Sequence, residues 1–108
     1  MTEKLFVYGT LGPNRPNTHI LEDIGGIWED GSVTGILKEE GWGAEMGYPG
    51  IILDPKGTEV KGFIFSSPHL AKHWKMLDDF EGNAYQRVIA HVTLFDDTVT
   101  DAYIYTLR

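Results

Sequence analysis

Six short runs dominate the chain: Lys4–Tyr8, Val33–Lys38, Gly50–Leu53, Val60–Phe65, Arg87–Phe95 and Ala102–Leu107. Each is rich in Val, Ile, Phe and Tyr and is bounded by Gly, Pro or Asp, the pattern of a strand that ends in turn residues. In "VIAHVTLFDDTVTDAYIYTL" two runs are joined by acidic and Thr residues around Asp96–Asp97, which predicts a hairpin. "LDPKGTEVKGFIF" reads as another. The one convincing helix starts at "SSPHLAKHW", where Ser67 can cap and Pro68 fits the first helical position with its fixed φ. Leu70, Trp74 and Leu77 then recur at i, i+4 and i+7, making one apolar stripe. A weaker helical turn over Asn17–Asp23, with Ile20 and Leu21 inward, is ended by Gly25–Gly26. The residues alone therefore give an α+β chain: a mostly antiparallel sheet, open or barrel-like, with one principal helix.

At 108 residues, 42% of them hydrophobic and 12% aromatic, the chain has enough apolar surface for one core, so residues 1–108 are expected to form a single domain. The net charge of −7, with no basic run, repels phosphate backbones and argues against nucleic acid or an anionic membrane surface as partner. Without cysteine there is no disulfide, thiolate metal site or thiol nucleophile. The opening "MTEKLFVYGTL" has only the apolar run Leu5–Tyr8 before glycine, too short for a signal or spanning segment. A cytoplasmic protein is expected.

"LDDFEGNAYQR" places three acids at the end of the main helix, where unpaired carbonyls disfavour negative charge. At 100° per residue, Leu70, Trp74, Leu77 and Glu81 fall within about 60° of arc, so Glu81 faces the core side. Asp78 and Asp79 can be solvated beside Lys75. A carboxylate among apolar neighbours loses hydration and is either paired or used for proton transfer. The first alternative is an ion pair between Glu81 and Arg87, and the second is acid/base chemistry. Gly82 supplies a left-handed cap just past the acid.

Near the N-terminus, "LFVYGTLGPN" leaves a strand and turns at Gly9, where a missing Cβ permits close approach and successive amides can form an anion nest. It lacks the Gly-Lys-Ser/Thr of a phosphate loop and the G-x-G-x-x-G spacing. "VYGTL", "GYPGIIL", "LDDFEGNAYQR" and "DAYIYTL", in that order and across most of the chain, resemble the γ-glutamylcyclotransferase-like family, which includes the γ-glutamylamine cyclotransferases and small bacterial relatives.

That resemblance implies a mixed, mostly antiparallel small β-barrel with one main helix and a cavity for a γ-glutamyl group. It implies that Glu81 is the catalytic acid/base and that Tyr8, Gly9, Thr10 and Leu11 present backbone amides to the substrate. The implied reaction is attack of the substrate's own α-amine on its γ-amide carbonyl, giving 5-oxoproline and an amine or amino acid, with no cofactor and no metal. Tyr85, at i+4 from Glu81, is a candidate hydroxyl donor or a core-packing residue; Arg87 can orient Glu81, bind a carboxylate or form a plain salt bridge; and Tyr48, beside Pro49 and Gly50, can line the pocket or mark a strand-entry turn. The expected partner is a small γ-glutamyl molecule, and the expected state a monomer or weak homodimer. A non-catalytic module of the same fold that binds a small metabolite is the alternative.

His69 and His73 have the i, i+4 spacing of zinc ligands, but Leu70 stands where H-E-x-x-H has its glutamate and no third ligand is indicated. Trp28, Trp42 and Trp74 are read as core or rim packing.

Overall fold

The computed structural model describes residues 2–9, 11–39 and 50–108. Thr10, Trp42, Tyr48 and Pro49, all singled out above, lie outside them. The elements run β1 (Glu3–Val7), α1 (Thr18–Ile24), β2 (Ile27–Lys38), β3 (Gly50–Leu53), β4 (Thr58–Ser67), α2 (Trp74–Glu81), β5 (Tyr85–Leu94) and β6 (Val99–Leu107). The sheet order is β3-β2-β4-β1-β6-β5, and β2 also pairs with β5 through Gly31↔Leu94 and Ser32↔Thr93. That last pairing closes β2, β4, β1, β6 and β5 into a barrel and leaves β3 as a sixth strand on the free side of β2. Only β1–β6 is parallel, so the barrel is mixed but mostly antiparallel.

Strand periodicity divides the core in two. Phe6, Val33, Ile64, Val92 and Ile104, one from each barrel strand, fill the lumen. Leu5 and Val7 point the other way and pack with Leu21, Phe65, Leu70, Leu77, Tyr85 and Tyr105 in the layer beneath the helices. Burial of both faces of β1 explains why "LFV" reads as an unbroken apolar run. Tyr8, two residues beyond Phe6, packs at the edge of the lumen cluster and stacks on the Phe6 ring at 6.5 Å between centroids.

Three expectations need correction. β2 starts at Ile27, not Val33, because Trp28, partly buried, packs on Phe63 and Phe65 while the strand pairs along β4 from Ile27↔Ser66. The main helix is broken: β4 continues through Ser67, a 3-10 turn spans Leu70–Lys72, and α2 begins only at Trp74. Ser67 explains the delay, since its fully buried Oγ donates to the Gly25 carbonyl (2.6 Å) and accepts from the His69 amide (3.0 Å), tying the strand end to the end of α1. The expected hairpin over "LDPKGTEVKGFIF" is absent: β3 and β4 do not pair but flank β2, both meeting it at Gly35 (Gly35↔Leu53 and Gly35↔Thr58). The β5–β6 hairpin does form, with Asp97 at φ 67° and the Asp96 carboxylate accepting the Thr98 amide at 3.1 Å.

The β3–β4 connection thus crosses directly over a strand, and only glycine allows it. A Cβ on Gly57 would lie 2.3 Å from the Gly35 carbonyl oxygen and 2.8 Å from its Cα, contacts with backbone that no rotamer relieves. Gly57→Ala is therefore expected to lower stability by about 1–3 kcal/mol, the usual cost of overpacking. Urea unfolding checks this, and an unchanged midpoint would contradict the crossing.

Candidate active site

Glu81 is the last residue of α2. The helix stops there because Gly82 takes φ 82° and ψ −173°, a region open essentially to glycine alone, while its amide still donates to the Asp78 carbonyl at 3.0 Å. The positive φ is as expected for Gly82, but with ψ near 180° the residue is extended and does not form the expected left-handed cap. The chain then turns at once, with the Tyr85 amide donating to the Gly82 carbonyl at 3.3 Å, and enters β5. Helix end and strand start are held within four residues, so Glu81 and Tyr85 lie close enough for the acid's charge to act on the phenol.

Burial pushes the Glu81 carboxyl up from 4.5 to about 7. Three tyrosines share its field. Tyr85 is raised by burial and then by the charge of Glu81. Tyr8 is raised mainly by burial, with Tyr85 and Glu81 adding to it. Tyr105 is raised by burial, by its bond to Asp78 and, more weakly, by Glu81. Tyr8, just past β1, and Glu81, at the end of α2, are far apart in sequence yet close enough in the fold to share one electrostatic field. In that turn the Gly12 amide donates to the Gly9 carbonyl at 3.1 Å, and Leu11 is buried in the helix-facing core.

The hydroxyl of Tyr8 is committed to backbone: it donates to the Tyr105 carbonyl (2.7 Å) and accepts from the Ile51 amide (3.1 Å). It braces β3 against the barrel. Arg87 does not pair with Glu81. Its Nε donates to Asp78 Oδ1 at 2.9 Å and its Nη2 to Oδ2 at 3.4 Å, while the guanidinium lies over the Trp74 ring (4.3 Å) and the Tyr103 ring (4.9 Å). Trp74 in turn donates its indole N–H to the Glu3 carboxylate.

Asp78 is likewise no mere solvated neighbour, because it also accepts from the Tyr105 hydroxyl at 2.7 Å. Burial opposes its ionisation, yet the bonds from Arg87 and Tyr105 and the guanidinium charge together hold its carboxyl below the usual range. Asp79 behaves as expected, in an exposed pair with Lys75 at 3.0 Å. Sequence reasoning missed Tyr105 and the role of Asp78. The available signal was an acid in the last helical turn, which is unfavourable there unless a cation answers it.

Away from Glu81, two open surface hollows are lined, respectively, by Arg15, Ser32, Lys61 and Phe95 among others, and by Glu3, Lys4, Ile89 and Tyr103 among others. They have no tie to the carboxyl group. The perturbed acid and the tyrosines around it form the candidate site.

The model of the gamma-glutamyl cyclotransferase, AIG2-like family matches residues 5–108, and the chain belongs to that family. Among solved structures it is similar to YkqA of Bacillus subtilis (26% identity, TM-score 0.74), covering 100% of this chain and 36% of that one. It is also similar to an AIG2-like protein of Mus musculus (26% identity, TM-score 0.74; 97% of this chain and 76% of that one). A structure named gamma-glutamyl cyclotransferase shares the fold at 14% identity and TM-score 0.73, covering 100% of this chain and 68% of that one. The chain spans little more than a third of the length of YkqA. No curated protein gives a significant sequence match. No helix among the described residues is long and apolar enough to cross a membrane.

The raised acid has a consequence for stability. Below pH 4.5 the Glu81 carboxyl is protonated whether the chain is folded or not; between 4.5 and about 7 the unfolded chain gives up its proton first. The folded state then binds more protons, so its stability falls as pH rises through this window, by up to roughly 3 kcal/mol. Glu81→Gln removes the titration. Relative to the parent, the variant is expected to gain about 1–3 kcal/mol on going from pH 4 to pH 8. Urea unfolding at both pH values measures it; a gain of the opposite sign would contradict the assignment.

Proposed function

We propose that this chain is a γ-glutamyl cyclotransferase that converts a γ-glutamyl amide into 5-oxoproline and a free amine or amino acid. The observation that carries the reading is Glu81, an acid raised to near neutrality by burial and sharing its field with Tyr8, the residue that follows β1. A module that only bound an anionic metabolite would gain nothing from a buried carboxyl of the same sign. Family membership supports the reaction class.

The chemistry asks little else of the protein. The substrate's α-amine is the nucleophile and closes a five-membered lactam on the γ-carbonyl carbon, so the enzyme must chiefly hold the chain curled. Glu81, ionised, accepts a proton from the substrate ammonium and frees the amine. Protonated, it donates to the leaving nitrogen as the C–N bond breaks, and the second proton shed by the attacking nitrogen on ring closure goes to the expelled amine, which departs as its ammonium ion. A carboxyl near 7 suits both duties because neither form is strongly disfavoured at neutral pH. Amides of the turn from Gly9 through Thr10 to Leu11 bind the α-carboxylate or the developing oxyanion, worth up to a few kcal/mol when preorganised. Tyr85, which feels the charge of Glu81, is the candidate to donate a hydroxyl, since those of Tyr8 and Tyr105 are engaged elsewhere; Tyr48 and Arg87 are assigned lesser roles in lining and charge balance.

The test is incubation with a panel of γ-glutamyl amines and γ-glutamyl dipeptides while 5-oxoproline is measured. The parent is expected to release it from at least one class, and Glu81→Gln to lose at least about 100-fold in kcat. Because the working base must be ionised, kcat/KM should rise with pH and level off above about 7. Near-normal turnover by Glu81→Gln would rule out its role, and silence of the parent across the panel would favour a binding module.

A further inference from the structure

We infer that Asp78 is a positioning residue for Glu81: clamped by Arg87 and Tyr105, it fixes the end of α2 against β5 and β6 so that the Glu81 carboxyl stays in its place. The inference rests on the cyclotransferase reading for its kinetic consequence, although its structural content stands apart from it.

The geometry is specific. Asp78 lies one helical turn before Glu81, and its side chain takes three hydrogen bonds, from Arg87 Nε (2.9 Å), Arg87 Nη2 (3.4 Å) and the Tyr105 hydroxyl (2.7 Å). Its backbone carbonyl takes a fourth, from the Gly82 amide that ends the helix (3.0 Å). Charge-assisted bonds of this kind are directional, and two of the donors sit on neighbouring strands in register, Arg87↔Tyr105. Each donor is itself fixed. Arg87 lies over the rings of Trp74 and Tyr103, which themselves meet edge to face. Tyr105 is buried, and its carbonyl accepts from the Tyr8 hydroxyl, which also holds Ile51.

A continuous path thus runs from β3 through Tyr8 and Tyr105 to Asp78 and on to the helix end. It joins the two segments between which the substrate would lie. An eight-residue helix has little stability of its own, so its last turn depends on such tertiary ties. An acid at a helix C-terminus, disfavoured by the dipole, is explained by the same contacts.

The test compares the parent with Asp78→Asn, Tyr105→Phe and Arg87→Lys. Tyr105→Phe matters most, since it leaves every charge in place and removes one hydroxyl. Amide hydrogen exchange, which needs no turnover, is expected to accelerate about tenfold or more at Glu81 and Gly82 in each variant while the barrel strands keep their protection. With a turned-over γ-glutamyl substrate, kcat is expected to fall about tenfold to 100-fold with KM within about threefold of the parent, the signature of a displaced group and not of lost binding. Unchanged exchange at the helix end in folded Tyr105→Phe and Arg87→Lys would overturn the inference even if Asp78→Asn failed to fold. So would a parent-like kcat in both. If the parent turned over no substrate in the panel, the cyclotransferase reading would fail while the exchange data still decided whether Asp78 fixes the helix end.

Discussion

Burial of one carboxyl group, that of Glu81, is the constraint around which the rest of the structure is arranged. The group is pushed to about 7 by loss of hydration, and three tyrosines stand in its field. Desolvating an acid is unfavourable, and a fold selected only for stability would place an apolar side chain or an amide there. That the chain keeps an ionisable group in so dehydrated a place, within the field of Tyr8, is the physical basis for proposing chemistry there.

Holding the acid requires two layers of support. The barrel supplies a rigid wall: its lumen is filled by side chains from all five strands, and the pairing of β2 with β5 closes it. Outside the wall, polar bonds do the orienting. Tyr8 ties β3 to β6, Tyr105 ties β6 to α2, and Arg87 ties β5 to the same helix turn. The helix contributes only eight residues, so the precision of its end comes from these neighbours.

Much of this was legible in the sequence where local chemistry decides it. The strands announce themselves by β-branched and aromatic runs between turn residues, and within α2 the spacing of Trp74, Leu77 and Glu81 puts the acid on the packed side, although Leu70 belongs to the separate 3-10 turn before it. Gly82 ends the helix with the positive φ its place implied. What failed were features decided at long range. Nothing local says that β3 and β4 are kept apart by β2, since a Gly-containing turn between two apolar runs looks the same in a hairpin. Nothing local says that Ser67 serves the end of α1 as well as the following turn, which delays the helix.

The site divides in the same way. Glu81 could be found from helical phase, and its neighbour Tyr85 from spacing. The partner of Arg87 could not: Asp78, Asp79 and Glu81 all precede it closely, the farthest by nine residues, and the choice of Asp78 is made by strand register, which brings Tyr105 beside Arg87. Thr10 and Tyr48, implied by the family resemblance, lie outside the described residues.

The most direct test of the account is a titration of the Glu81 side-chain carboxyl by carbon NMR in the protein without substrate, with Glu81→Gln used to assign the resonance. The account predicts a midpoint close to 7. A midpoint at the ordinary value of 4.5 would mean that the group is open to water, and the central claim would fall.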